Sequence, residues 1–320
     1  MNICITSSGR RVELGKTFLH DAHQLGLAAQ ILAADSTPQL SAACQWAAAS
    51  FAVPRCTEPE YVERILTICR TQHVKILIPT IDTELSILSA AHEQFRQAGV
   101  HLVVSDSAAV RVARDKQLTA DVLIQANVPS PRTARLADFL SGAASLNFPL
   151  ILKRVDGSSS IGIHVAHDLS ELRALNLEAP CYVAQEKLEG PEYTVNCFAD
   201  LNGRLRAAVP HRRIETRAGE VSKAVTERRE DLQKLAEQIV QAVPGLRGPF
   251  CFQVILTSTG AKVFEINARF GGGYPLAHAA GATFGKWIIE EALCRPTTAH
   301  NNWQDGLVML RYDAAIFKKI

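Results

Sequence analysis

The sequence predicts an α/β fold at its start and sheet built from hairpins further on. Three observations support this. A strand, a glycine turn, a helix and a second strand ending in aspartate follow one another between Ile3 and Asp35. An apolar strand ends in Lys153, and a Gly/Ser turn then leads to another strand. The stretch Phe250–Tyr274, FCFQVILTSTGAKVFEINARFGGGY, reads as two strands joined by the polar turn Thr257–Gly260.

Composition bounds the class. The 320 residues are 47% apolar and 21% charged, with a net charge of +2. That is ordinary for a globular protein and argues against bulk attraction to nucleic acid or membrane. No apolar run approaches the roughly 20 residues that a membrane-spanning helix needs. The eight cysteines include no C-x-x-C and no zinc spacing, so they read as reduced core residues. The opening residues read as a strand and turn rather than a signal peptide, and a cytoplasmic location is expected.

In the first third, strands are expected at Ile3–Thr6, Ala29–Ala34, Phe51–Pro54, Ile76–Pro79 and Val100–Val104, with helices near 11–25 and 60–72. This is a doubly wound, Rossmann-like start. The turn after the first strand carries one glycine, Gly9, so the G-x-G-x-x-G fingerprint of a nicotinamide dinucleotide site is absent. Asp82 and Glu84 stand at the carboxyl end of a strand, where open α/β sheets bind ligands; they either touch a substrate amine or cap the next helix. Arg10 and Arg11 either meet an anion or sit on a solvated helix start.

In the middle, Ala108–Ala126 reads as one helix carrying Lys116. The strands Leu150–Lys153 and Ile161–Ala166 flank the loop Gly157-Ser158-Ser159-Ser160-Ile161-Gly162. Its small residues let backbone N–H groups approach phosphate oxygens, and Lys153 adds a point charge. It is not a P-loop, because no G-K-[ST] follows and the loop joins two strands. Tyr182–Leu188 is a further strand, and Glu189-Gly190-Pro191 breaks it.

In the hairpin, alternation places Phe250, Phe252, Val254 and Leu256 on one face with Phe264, Ile266 and Ala268. Cys251, Gln253, Glu265, Asn267 and Arg269 share the other, with Gln253 opposite Glu265 and Cys251 opposite Asn267. Glu265 with the amides Gln253 and Asn267 offers hard oxygens suited to Mg²⁺, and Arg269 offers a fork for phosphoryl oxygens. A half-buried hairpin with a wet polar face would look similar. Trp303 and Tyr312 read as packing residues.

Together these pieces resemble the ATP-grasp superfamily, in the flavour of the carbamoyl phosphate synthetase large-subunit repeat and of ATP-grasp amino-acid ligases. The resemblance implies an α/β and α+β protein. An N-terminal Rossmann-like pre-ATP-grasp domain (1–111) precedes a two-lobed ATP-grasp domain (112–320) with a mobile lid (about 118–184). It implies ATP and two Mg²⁺ (or Mn²⁺) ions. Lys116, Lys153 and the loop Gly157, Ser158, Ser159, Ser160 and Gly162 would meet phosphates. Glu186, Lys187 and Leu188 would meet adenine, and Glu192 the ribose. Gln253, Glu265 and Asn267 would hold metal, with Arg269, Lys153 and Glu265 catalytic. His211, Arg213 and Gly272 would border the acceptor. The implied function is a carboxylate–amine ligase that forms an acyl phosphate and acts on small molecules, with room for a homodimer. The alternative is a non-catalytic nucleotide-binding regulatory protein that kept the fold. With one synthetase unit and no glutaminase portion, carbamoyl phosphate synthesis itself is not expected.

Overall fold

The computed structural model describes residues 1–157, 162–217 and 219–318. Three sheets organise them. The first is parallel, with β1 (Asn2–Thr6), β2 (Gln30–Asp35), β3 (Ala49–Ala52), β4 (Val74–Ile78) and β5 (His101–Leu102) in the order β3-β2-β1-β4-β5. The strand order reverses at β1, which opens a crevice at the carboxyl ends of β1 and β4. Ser7–Arg11 and Thr80–Asp82 emerge there. β3 starts two residues earlier than the sequence predicts.

The second sheet is small and antiparallel: β6 (Thr133–Arg135), β7 (Leu150–Arg154), β8 (His164–Ala166) and β9 (Tyr182–Glu186), ordered β6-β9-β7-β8. The third contains β10 (Glu192–Ala199), β11 (Leu205–Arg217), β12 (Glu220–Thr226), β13 (Gly248–Thr257), β14 (Gly260–Asn267) and β15 (Val308–Leu310), ordered β14-β13-β10-β11-β12-β15.

The apolar cores show how these sheets join. One buried cluster runs without a break from Cys4 and Leu77 of the first sheet to Val195, Phe252 and Ile266 of the third. A second binds the other side of the first sheet to Phe198 and to Trp287 of the helix Phe284–Ala292. The small sheet has a core of its own, made by Leu136, Leu150, Leu152, Ala166, Leu172, Tyr182 and Ala184. Its apolar side chains are satisfied internally, so it is the part least tied to the rest.

Several expectations change. The helix expected over 108–126 is two helices, Ser107–Arg114 and Lys116–Gln125. The break falls at Asp115, whose carboxylate accepts from the backbone N–H groups of Gln117 and Leu118 at 2.9 and 3.1 Å and caps the second helix. Lys116 therefore begins a helix instead of lying within one. The hairpin register is as expected for Cys251–Asn267 and Gln253–Glu265, but it shifts between Gln253 and Val254, which faces Val263. This bulge turns Phe264 away from the core face that alternation assigns it. Tyr312 is 86% exposed, whereas Trp303 packs as expected. All eight cysteines are free. Among the described residues no helix is long and apolar enough to cross a membrane.

Candidate functional site

One cavity of about 530 Å³ lies between the small sheet and the third sheet, closed at one end by the turn after β1. Its lining includes Lys116, Lys153, Gly157, Glu186, Leu188, Glu192, Arg213, Gln253, Glu265, Asn267, Arg269 and Gly272. Lys153 and Glu265, which belong to different sheets, face the same space. Of the remaining expected residues, Gly162, Lys187 and His211 do not line it. Ser158, Ser159 and Ser160 lie outside the described residues.

The hairpin β13–β14 carries the acidic side. Alternation aims Gln253, Glu265 and Asn267 at the cavity, and the bulge adds Phe264 beside Glu265. Asn267 Nδ2 donates to Glu265 Oε1 at 3.2 Å, and Asn267 Oδ1 accepts from Arg269 at 3.2 Å. Arg269 also donates to Asp82 Oδ2 at 2.8 Å and to the Phe270 carbonyl at 3.0 Å. Burial disfavours the guanidinium charge, but Asp82, Cys251 and Glu265 together more than offset it and raise the Arg269 pKa. Asp82 does not cap the helix. It crosses from the first sheet's crevice to anchor an arginine of the third. Glu84 is the helix cap, buried and accepting from the N–H groups of Thr80 and Ile81 at 2.7 and 3.1 Å.

The small sheet carries the cationic side. Lys153, next to last in β7, is 7% exposed and donates to Gln185 Oε1 at 2.9 Å. Its ammonium lies 4.6 Å from the centroid of the Phe264 ring. Burial lowers its pKa to about 8; Glu265 opposes the shift and Lys116 adds to it. Lys116 Nζ donates to the carbonyl of Gly157, which ties the helix start to the loop. Glu192, on β10, is pushed up by burial and partly held down by Arg213, whose guanidinium is 3.1 Å away.

Three expectations need correction. Lys187 turns out of the cavity, because its N–H pairs with the Pro149 carbonyl at 3.0 Å and its ammonium approaches Glu189 at 3.8 Å. Gly162 lies beside Tyr182 and Arg154, with a positive φ of 71° that favours glycine. His211 shares the face of Arg213, as alternation predicts, but the glycine run covers it. It is 1% exposed, and its Nδ1 is 3.2 Å from Asn196 Nδ2. Burial lowers its pKa to about 3, so at neutral pH it carries no charge with which to meet a carboxylate.

The glycine run is fitted to the sheet beneath it. A Cβ on Gly273 would stand 2.6 Å from the His211 ring, and one on Gly271 would stand 3.0 Å from Asn196 Oδ1 and Cys251 Sγ. Gly273→Ala should therefore destabilise the fold by about 1–3 kcal/mol through overpacking. Denaturant unfolding measures this; a loss below 0.5 kcal/mol, on the order of a neutral surface change, would mean that His211 yields freely.

Sequence reasoning missed Gln185, Phe264, Glu220 and Arg311. The alternation Tyr182–Glu186 could have suggested Gln185. The others depend on a bulge or on long-range approach.

Two lobes thus face each other across this cavity, which the turn after the first strand of the doubly wound sheet also borders. Residues 3–103 match the family described as "PylC-like, N-terminal domain", and residues 178–314 match "ATP-grasp in the biosynthetic pathway with Ter operon". The second match identifies residues 178–314 as ATP-grasp sequence, the family the resemblance implies. It is 24% identical over 237 residues to the trifunctional purine biosynthetic protein adenosine-3 of Chironomus tentans, covering 63% of this chain and 17% of that protein. It is 38% identical over 105 residues to a D-alanine–D-alanine ligase of Stutzerimonas stutzeri, covering 31% of this chain and 33% of the relative. The chain thus spans a sixth to a third of these relatives' lengths. A biotin carboxylase from Campylobacter jejuni, solved as a β,γ-ATP complex, superposes with a TM-score of 0.74 at 14% identity, covering 95% of this chain and 74% of that one.

Proposed function

We propose that this protein is an ATP-dependent carboxylate–amine ligase that releases ADP. The observation that carries this reading is the gathering of Lys116, Lys153, Glu265, Asn267 and Arg269 on one cavity, from the third sheet on one side and from the small sheet and the helix Lys116–Gln125 on the other. The ligase among its relatives and the ATP complex among its structural neighbours point the same way.

The donor set suits magnesium. Among the described residues no group of three or more His, Cys, Asp or Glu side chains is gathered for a metal. One carboxylate, Glu265, with the amide oxygens of Asn267 and Gln253 is a hard, sparse set that leaves coordination positions for phosphate and water, as Mg²⁺ requires. When bound there, two such ions would neutralise the β- and γ-phosphates. Glu265, with two carboxylate oxygens, would serve both.

In this reading the chain's own residues mainly position groups and balance charge. Lys153 holds the phosphates from the small sheet and Lys116 from the helix it begins, and Arg269, steadied by Asp82, faces the transferring phosphoryl group. A substrate carboxylate oxygen attacks the γ-phosphorus. The bond to the β,γ-bridging oxygen breaks, leaving ADP and an acyl phosphate. An amine then attacks the acyl carbon, inorganic phosphate leaves, and the amine's proton passes to solvent. The small sheet, with its separate core, suits a lid that excludes water. Glu186 and Leu188 would meet adenine and Glu192 the ribose, with Arg213 as its ion partner. A regulatory protein without turnover would not need to keep Lys153, Glu265, Asn267 and Arg269 together.

Purified protein incubated with Mg-ATP, a panel of carboxylic acids and hydroxylamine tests this. ADP release that depends on one acid, together with a hydroxamate product, is expected. Nucleotide binding with no acid-dependent ADP release would overturn the ligase reading.

Lys153 supplies a pH test. With a pKa of about 8 in the free protein it loses its charge as pH rises through 8, and bound phosphate favours the protonated form. Nucleotide affinity should therefore be level below pH 7 and fall up to tenfold per pH unit above 8. Lys153→Arg, whose charge persists, should flatten the profile even if it binds more weakly. An unchanged profile in that variant would show that another group titrates.

A further inference from the structure

We propose that the end of the cavity lined by Arg11 and Glu220, with Arg311 beside Glu220 at its edge, is a subsite for a second anionic group on the acid substrate. The substrate class is then a small acid with two anionic ends, a dicarboxylate or a phosphorylated carboxylic acid. This rests on the ligase reading and narrows it.

Three guanidiniums, two adjacent in sequence and the third from the far end of the chain, converge on one carboxylate. Arg311 follows β15 and lies 3.4 Å from Glu220 Oε2; Arg11 precedes the helix Val12–Gln24 and lies 3.5 Å from Oε1; Arg10 lies 3.8 Å from Oε2. Burial raises the Glu220 pKa, but Arg11, Arg311, Arg10 and Arg269 together hold it below its usual range. The geometry is loose. A structural ion pair of arginine is normally short and bidentate, and of these contacts only the one from Arg311 meets hydrogen-bond criteria. One carboxylate cannot engage the donors of three guanidiniums, each of which presents five. Arg311 spends another donor on the Gly272 carbonyl, and Asp82 already neutralises Arg269. Arg10 is 78% exposed and outside the cavity, but Arg11 and Arg311 together still exceed the single charge of Glu220, beside a wall that Arg11, Glu220 and Gly272 line.

The position relative to the chemistry sets the ligand's size. Arg269, Arg11 and Glu220 line the same cavity, and Gly272, which follows Arg269 in the turn, borders the Glu220 carboxylate. An acid with one carboxylate toward Arg269 and Glu265 and a second anion toward Arg11 and Arg311 therefore needs only a short connecting chain. Glu220 is the group that such an anion displaces or joins. A Cβ at Gly272 would stand 3.2 Å from the Glu220 carboxyl carbon, so the glycine leaves this carboxylate its place beside the turn.

Calorimetric titration of the full chain with glutarate, O-phosphoserine and butyrate at fixed ionic strength tests the subsite directly. At least one of the two dianions should bind ten or more times more tightly than butyrate, and whichever does so tells a carboxylate subsite from a phosphate one. Arg11→Gln and Arg311→Gln should each weaken that dianion about tenfold to hundredfold, the loss of one charge-assisted contact, and leave butyrate unchanged. Arg311→Lys should recover part of the loss, and Glu220→Gln should tighten the dianion several-fold. Thermal unfolding of each variant separates lost binding from lost structure. Equal binding of butyrate, no binding of any of the three, or an undiminished preference in both glutamine variants would overturn the proposal. ADP release, measured in parallel with hydroxylamine, keeps the two readings apart. A dianion preference without ADP release for any acid would leave the subsite standing and remove the ligase reading. ADP release driven equally by butyrate would do the reverse.

Discussion

Glu265→Ala should lower acid-dependent ADP release by about three orders of magnitude or more while the fold survives. Glu265 is the single carboxylate among the proposed metal ligands, and it is partly exposed on the cavity wall instead of packed in the core. Removing it leaves the two amide oxygens of Gln253 and Asn267, which carry no charge to offset a divalent cation. It also frees Asn267 Nδ2, whose 3.2 Å contact to Glu265 fixes that side chain. Loss of a half-exposed carboxylate creates no apolar cavity, so thermal unfolding should move little. Glu265→Gln keeps the shape and removes the charge, and it should be nearly as inactive. ADP release within tenfold of the parent in both variants, read by separating nucleotides after single and multiple turnovers, would remove Glu265 from the chemistry.

Arg269→Gln should reduce the maximal rate about 10²- to 10³-fold with little change in ATP affinity, because its charge matters most when the phosphoryl group is in transit. A ground-state role would instead raise the Michaelis constant for ATP at an unchanged maximal rate. The partner Asp82 gives a second arm. Asp82→Asn keeps a hydrogen-bond acceptor but frees the guanidinium from a 2.8 Å charge pair. It should lower the rate about tenfold, less than loss of Arg269 itself. Asp82→Ala leaves the buried arginine charge unpaired and should also destabilise the fold by roughly 3–5 kcal/mol. Equal effects of Asp82→Asn and Asp82→Ala on both rate and stability would mean that the pair is only structural.

The residues that line the cavity on each hairpin are legible because strand parity is local. Gln253 opposite Glu265 and Cys251 opposite Asn267 follow from a turn at Thr257–Gly260, and the sheet keeps that register. The bulge is invisible to parity. It depends on how β14 packs, and it moves Phe264 from the core to a place beneath Lys153. His211 shows the limit from the other side. Its face on β11 was predictable, but its burial was not, since the cover comes from Gly273, 62 positions further on. Asp82 and Arg269 are 187 positions apart, and nothing in either segment marks the other as a partner.

The sequence by itself determined the doubly wound start, the strand that carries Lys153, the hairpin that carries Glu265 and their order, because each rests on side-chain alternation or turn chemistry within a few residues. Tertiary structure decided which of these faces meet. The first and third sheets share a continuous core while the small sheet keeps its own, so the cavity lies where two separately satisfied apolar bodies leave a polar gap. The arginines around Glu220 and the Asp82–Arg269 pair come together only there, since long-range charge pairing is set by packing and not by neighbouring sequence.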